Sequence, residues 1–475
     1  MGRKTKYISV LHQLRYQILS GEWPIGSTLP PERKLAEQLG VSRNTVVRAY
    51  SELEAEGLIA GRMGSGRFVQ PLAPLPTVNG IDWRKRLDEY QHTSGPSHMA
   101  DLLSISSPHN QVINFTHGDG GKQTLASSGF PHFLKQTADR IESYYFLPIN
   151  GHPELREWIV SWMDVEQISS AEQVVITSGS QEALQLAATL LAKPGDSIAV
   201  EMPTYFGALQ LFESLGLRII PIPLDPEGMR VDVLEGVLTR YSPRFVYTVP
   251  TFHNPTGYTL SLERRQRLIQ LSEQYNLPII EDDAYRHLHL YEEPPVSLKS
   301  LDQTGNVIYI NSFSKVLFPG LRLGWIAATR SFIRHISRLK EQSITTNTYG
   351  QLALLSFLQE GALLPHLERA RSLYRCQAEL MGHHLKQLQP YGLSFEQPNG
   401  GFYYWVSLPQ GTDARDVLRQ CMSQGVSFAV GDMFLTREAV QPFIRLCFSH
   451  EPKENIEAGM AILTAELKKR KELVS

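Results

Sequence analysis

Five short runs of β-forming residues, spaced by helix-forming segments, restrict what the larger part of this chain can become. They are Val174-Val175-Ile176, Ile198-Ala199-Val200, Phe245-Val246-Tyr247, Ile279-Ile280 and Val307-Ile308-Tyr309-Ile310, all downstream of Val112. Strands that alternate with helices build a layered domain with a largely parallel sheet. The expected fold class is therefore α/β over residues 112–475. No internal repeat or low-complexity tract interrupts the pattern.

A chain of 475 residues exceeds one small core, and its upstream part has a different character. From Pro71 to about Asn110, Pro71, Pro74, Pro76, Gly80, Ser94-Gly95-Pro96-Ser97 and Ser106-Ser107-Pro108 break every long periodic run. Residues 72–111 are therefore expected to be a linker, with one short helix around Trp83 to Tyr90. Residues 1–71 form a separate small domain. No apolar run reaches the roughly 20 residues that cross a bilayer, and Met1-Gly2-Arg3-Lys4-Thr5-Lys6 is not followed by the apolar segment of a secretory signal. The expected location is cytoplasmic, with no membrane partner. Cys376, Cys421 and Cys447 have neither the parity of a disulfide framework nor metal-type spacing, so no metal site is expected from them.

In the small domain, Ile8, Leu11, Leu14, Ile18 and Leu19 recur at helical spacing and stop at Ser20-Gly21. Pro30-Pro31 opens a short helix through Leu35, Ala36 and Leu39 that ends at Gly40. One residue later Ser42 can cap a second helix, with Val46, Val47, Tyr50 and Leu53 on its apolar stripe. Two short helices joined so tightly form a helix-turn-helix. Leu58-Ile59-Ala60 and Arg67-Phe68-Val69 then flank Arg62-Met63-Gly64-Ser65-Gly66, a two-stranded ribbon with a glycine-rich tip. Residues 1–70 hold 10 Lys and Arg against 6 Asp and Glu, while the remainder holds 36 against 42. That modest basic excess is compatible with a phosphate-backbone partner without proving one.

The run Ser20-Gly21, Pro24, Gly26, Leu29-Pro30-Pro31-Glu32-Arg33, Leu35-Ala36, Gly40-Val41-Ser42-Arg43-Asn44-Thr45-Val46, Ala49-Tyr50, Leu53, Glu56-Gly57 and Gly64-Ser65-Gly66 resembles the GntR-type winged helix over nearly all of residues 7 to 70. The resemblance implies double-stranded DNA as partner. It turns Arg33, Ser42, Arg43, Asn44 and Thr45 toward the duplex and brings the tip from Gly64 to Gly66 near the minor groove. An arginine at the start of a helix in the major groove can bond guanine through both ends of its fork, which makes Arg43 the first candidate for reading a base.

In the large domain, polar residues gather where strands end. Thr177-Ser178-Gly179-Ser180-Gln181-Glu182 passes from a strand through small residues into a helix, whose unpaired amides and positive end suit an anion. Met202-Pro203-Thr204-Tyr205, His253-Asn254-Pro255-Thr256-Gly257, Glu281-Asp282-Asp283-Ala284-Tyr285 and Asn311-Ser312-Phe313-Ser314-Lys315 follow in that order. Gly151-His152-Pro153, Asn399-Gly400-Gly401 and Arg445-Leu446-Cys447 complete the set. Together they resemble the fold-type I, aminotransferase-like enzymes of pyridoxal 5'-phosphate (PLP) across about residues 112 to 465. The resemblance implies a mainly parallel central sheet, a smaller C-terminal α+β subdomain and a homodimer.

It also implies residue roles. Lys315 would form the imine with the cofactor aldehyde, and Asp282 would pair with the protonated pyridine nitrogen. Asn254 and Tyr285 would meet the ring oxygen, and Tyr205 would stack on the ring. Gly179, Ser180, Gln181, Ser312 and Arg322 would hold the phosphate, and Arg445 would hold the carboxylate of an incoming amino compound. Desolvation favours a neutral, nucleophilic lysine, and a carboxylate against a pyridinium keeps the ring an electron sink. Where the family places a phosphate-touching tyrosine from the neighbouring subunit, this chain has Phe146, with Tyr145 one residue earlier. The segment Phe115-Thr116-His117-Gly118-Asp119-Gly120 matches only loosely, so it carries no specificity. His253, His287 and His289 receive no role.

The two resemblances together are those of the MocR subfamily of GntR-type transcription regulators. They imply a PLP-dependent regulator in which a small amino compound displaces Lys315 and changes how DNA is held. The alternative is a working aminotransferase with an accessory DNA-binding domain, in which Lys315 also moves protons. A third reading makes PLP itself the signal. Effector, operator, half-site spacing and the sign of regulation are not written in the sequence.

Overall fold

The computed structural model describes residues 3–19, 22–62, 66–71, 112–140, 147–343, 345–436 and 442–474. The chain divides into two compact units, Met1–Glu89 and Tyr90–Ser475. The boundary falls within the expected linker 72–111. That linker, its short helix, the Ser20-Gly21 stop, Gly64 and the Tyr145-Phe146 pair all lie outside the described residues.

The first unit contains α1 (Arg3–Leu19), α2 (Glu32–Gln38), α3 (Arg43–Ala55) and the antiparallel ribbon of β1 (Ile59–Arg62) and β2 (Gly66–Val69). Ile59 pairs with Val69 and Arg62 with Gly66. Leu11, Leu14 and Ile18 are buried against Val46, Ala49, Tyr50 and Leu53, as the helical spacing predicts. Ile8 and Leu19 were expected on that stripe and are exposed, whereas Val10 is buried. The stripe is narrower than the sequence suggests because α1 packs chiefly on one helix, α3. Pro31 caps α2 from outside and the helix begins at Glu32. The Tyr50 hydroxyl donates to Pro30 O at 2.8 Å, tying α3 to the turn before α2. Arg67 pairs with Glu32 and lies 5.3 Å over the Tyr50 ring, which ties the ribbon to both helices.

In the second unit β3 (Ile113–Asn114) stands apart from the central sheet. That sheet holds β4 (Val174–Thr177), β5 (Ser197–Met202), β6 (Arg218–Asp225), β7 (Gly228–Met229), β8 (Val246–Thr248), β9 (Ile279–Asp282), β10 (Val307–Ser312) and β11 (Gly324–Ala327). Their spatial order is β4-β11-β10-β9-β8-β5-β6-β7. Pairs from β10 through β6 are parallel, and β11 and β7 run against their neighbours. β4, β9, β10 and β11 are buried along their whole length, as apolar strands under two helical layers must be. The register sets Asp282 beside Ile310, at the carboxyl edge of the parallel strands. In open α/β sheets that edge is where ligands are held.

Four antiparallel strands form a second sheet, ordered β12 (Ser394–Phe395), β13 (Tyr403–Ser407), β16 (Phe443–Cys447) and β15 (Ala429–Val430). β14 (Val426–Ser427) pairs instead with β3. The helices Leu363–Leu388 and Lys453–Val474 pack on one another here, giving the smaller α+β part. Among the described residues, no helix is long and apolar enough to cross a membrane.

Candidate functional site

Ser180, Gln181, Tyr205, Asn254, Asp282, Tyr285, Lys315 and Arg322 come from six separate stretches of chain and line one cavity, together with Val249, Ala284, Ser314 and Pro319. Most follow the carboxyl end of a strand, whereas Arg322 stands just before β11. Asp282 ends β9, and Tyr247 on the adjoining β8 donates its hydroxyl to Asp282 Oδ2 at 3.1 Å. Among the described residues, Oδ1 is buried with no partner. Lys315 lies in the one-turn helix Phe313–Val316 that follows β10, capped by Ser312 Oγ, which accepts from Ser314 N at 3.0 Å. Its amine donates to Gly118 O at 2.8 Å. Desolvation lowers its pKa, Asp119 opposes that and Arg445 adds to it. The amine is thereby brought closer to its nucleophilic, neutral form.

Gly179 begins the helix Ser180–Leu191 at φ 95°, with no side chain to cap it. A Cβ there would stand 3.1 Å from the Arg322 guanidinium, so glycine is what lets that arginine lie across the helix start. Arg322 donates to Ser178 O at 2.7 Å, and Gln181 donates to Gly207 O at 2.9 Å. Ser312 and Gly179 do not line the cavity. The Ser312 hydroxyl donates to Leu323 O at 3.1 Å, and Gly179 contributes the close approach just described. Ser314, which the sequence did not single out, presents a buried Oγ that has no partner among the described residues, and Gln181 Oε1 has none either.

Behind the cavity, Asn254 donates to the Tyr285 hydroxyl at 3.3 Å and accepts from Arg445 Nη1 at 2.8 Å. Arg445 Nη2 donates to Thr116 O at 2.7 Å, and the guanidinium lies 4.2 Å over the Tyr403 ring. His253 does not line the cavity. Burial pushes its pKa down to about 3, and its Nδ1 lies 2.9 Å from Thr256 Oγ1. His287 accepts from Trp162 Nε1 at 3.1 Å, and His289 bridges to Gly400, both away from the lining residues.

These orphan atoms test the fit of PLP. A buried carboxylate oxygen without a partner suits a pyridinium N–H, and the open helix start beside Arg322 and Ser314 suits a phosphate. The residues fit the group. Burial first, then Asp283, pushes the Asp282 carboxyl up to about 6, with Tyr247 and Lys315 opposing. The folded chain therefore holds a proton that the unfolded chain releases near pH 4, and stability falls as pH rises through that interval. Asp282→Asn, which keeps an acceptor for Tyr247, is expected to remove this slope. Without cofactor the variant should be about 1–3 kcal/mol more stable than the parent at pH 7 in urea unfolding, and equal to it at pH 4.

In the first unit, Ser42 caps α3, accepting from Thr45 N at 3.3 Å and lying 2.9 Å from Thr45 Oγ1. Arg33, Ser42, Arg43 and Asn44 are exposed and Thr45 half-buried. The Arg43 side chain is 64% exposed, with a 3.8 Å approach to Glu32. Gly66, at φ 90°, is exposed where β2 begins.

Two family models match. "Bacterial regulatory proteins, gntR family" covers residues 6–69, and "Aminotransferase class I and II" covers residues 125–462. The HTH-type transcriptional regulator YdfD of Bacillus subtilis is 30% identical, over 97% of this chain and 96% of its own length. Aromatic-amino-acid aminotransferase 1 of Thermococcus litoralis is 33% identical, over 82% of this chain and 95% of its own. LysN, the alpha-aminoadipate aminotransferase of Thermus thermophilus, was solved with N-(5'-phosphopyridoxyl)-L-leucine. It is 30% identical and superposes with a TM-score of 0.76 over 82% of this chain and 99% of LysN.

Proposed function

The chain belongs to the class I and II aminotransferase family and carries a gntR-family regulatory domain, the make-up of the MocR subfamily, and on that premise we propose that it is a PLP-dependent transcription regulator responding to an amino compound. One observation supports this most: a complete Lys, Asp, Asn, Tyr and Arg cavity shares a chain with an exposed, capped helix start from Ser42 to Thr45. An enzyme has no use for the second feature. A sensor needs the first only as far as covalent capture of its ligand.

In this reading residues 1–71 read DNA, 72–111 link, and 112–475 hold cofactor and effector. PLP, when bound, supplies a carbonyl that exchanges amines and a ring that draws electrons. Lys315 would be the residue that holds the group, through its amine. Asp282 keeps the ring nitrogen protonated, and Asn254 and Tyr285 face the ring oxygen. Tyr205 fixes the ring plane. Ser180, Gln181 and Arg322 hold the phosphate, with Gly179 and Ser312 shaping the two turns. Regulation requires the effector to favour one conformation, since equal affinity for both shifts nothing. A homodimer would present two heads to two half-sites of an operator.

The test runs two assays on one preparation: anisotropy of a selected operator fragment and transamination with amino and keto acid pairs. An amino compound that shifts operator affinity without enzyme-like turnover supports the regulator. Sustained multiple turnover with no change in DNA binding supports the aminotransferase reading, which the similarity to the Thermococcus litoralis enzyme favours. At the DNA face, Arg43→Ala is expected to weaken operator binding by about 1–3 kcal/mol while leaving cofactor absorbance unchanged. Unchanged affinity removes Arg43 from the reading face.

A further inference from the structure

Beside Lys315, a group of polar side chains takes no part in the reading above. His117 and Asp119 lie in the loop after β3, and His450 lies just past β16. His450 Nδ1 is 2.6 Å from Asp119 Oδ1, and His117 Nδ1 is 3.5 Å from Asp119 Oδ2. The two imidazoles stack with centroids 4.7 Å apart and planes 19° from parallel. One donor atom from each residue lies within 4.8 Å of the other two.

The loop is built to hold this arrangement. A Cβ on Gly118 would fall 2.0 Å from the Tyr403 hydroxyl, on Gly120 1.9 Å from the Tyr374 hydroxyl, and on Gly121 2.2 Å from His450 O. Three glycines are thus what allow the loop to press against two tyrosines and the backbone of His450. Asp119 is fixed further: Gly121 N donates to Oδ1 at 2.9 Å, and the Ser449 hydroxyl donates to Asp119 O at 2.7 Å. All three side chains remain partly open, at 27% for each histidine and 18% for Asp119.

One imidazole suffices to pair a carboxylate; here a second, from a distant part of the chain, turns the same ring nitrogen toward it. Two histidines and one carboxylate are the donor set that zinc and its neighbours in the first transition row take with three protein ligands and an open position. Metal–ligand distances near 2.0–2.1 Å put tetrahedral donors roughly 3.3 Å apart. The 2.6 and 3.5 Å separations, one to each carboxylate oxygen, straddle that value. We propose that His117 Nδ1, the Asp119 carboxylate and His450 Nδ1 bind one divalent transition-metal ion of the zinc class per chain. The ion would fasten the loop whose Gly118 carbonyl accepts the Lys315 amine. It would leave a coordination position for a further donor. This site does not depend on the regulatory reading.

The experiment is calorimetric titration of ZnCl2 into the full-length, chelator-stripped chain, with zinc-edge X-ray absorption on the loaded sample. One ion per chain is expected, with affinity reduced at least about tenfold in His117→Ala and in His450→Ala. Affinity should be unchanged in His383→Ala, an exposed histidine elsewhere that packs edge-on against His384. Absorption on the wild-type chain, which needs no variant to fold, should show two imidazoles and oxygen. Absence of saturable binding, retention of affinity in both loop variants, loss of it in His383→Ala, or a sulfur shell from the exposed Cys376 would each overturn the proposal.

Discussion

Lys315→Ala is expected to abolish the visible absorbance of lysine-bound cofactor completely, and the variant should lose added PLP on desalting while the parent retains it. The fold should survive the change. The amine makes its hydrogen bond to a backbone carbonyl, Gly118 O, and alanine leaves both the Ser312 cap and the buried Phe313 and Val316 in place. A stability change within about 1 kcal/mol follows, checked by denaturant unfolding without cofactor. Among the described residues, two other lysines are buried and offer the competing outcome. Lys299 is held 2.9 Å from Asp302 and donates to Val307 O at 2.9 Å, and Lys340 lies 3.8 Å from Glu182. Both of those amines already face a carboxylate. Lys315 also shares the cavity with Asp282, which neither of the other two does. A band that persists in Lys315→Ala would move the attachment to one of those lysines and undo the site.

How much of this was legible depends on what each residue answers to. Asp282, Asn254, Tyr285 and Arg322 could be named because the short, ordered motifs that hold them resemble those of the fold-type I PLP enzymes. β6 was not read as a strand because Pro221 and Pro223 stand inside it. The sheet tolerates them there because β6 lies near its edge, with only the two-residue β7 beyond. Ile8 and Leu19 have the right spacing for the core of the first unit and are exposed, since periodicity marks a face and not how wide a neighbour covers it. Ser314 was passed over beside Ser312 because local sequence cannot say which of two hydroxyls the turn will spend on its own backbone. Tyr247 and Tyr403 reach the site from strands whose runs read simply as apolar. The meeting of His117 with His450 spans most of the second unit, and no local pattern announces it.

Arg445→Gln is expected to weaken any carboxylate-bearing effector by about 100-fold or more, a loss of roughly 3 kcal/mol. The guanidinium on β16 is 2% exposed, yet its hydrogen bonds among the described residues go to neutral oxygens and not to a carboxylate. Its company is neutral: Asn254 Oδ1 at 2.8 Å, Thr116 O at 2.7 Å and the faces of Tyr403 and Phe434, with Nε buried and unpaired. Holding a cation this way costs several kcal/mol unless an anion completes it, and the planar fork matches a carboxylate through two bonds. The same reasoning fixes the sign of the stability effect. Glutamine removes the uncompensated charge and its amide can still donate to one of the two oxygens, so the ligand-free variant should melt no lower than the parent. Lost response at retained or raised stability is the trade that a binding charge makes and a structural one does not. An amine lacking a carboxylate should bind parent and variant alike. If the variant instead responds to amino acids as the parent does, while Lys315→Ala responds to nothing, then the cofactor itself is the signal and the arginine is a remnant of catalysis.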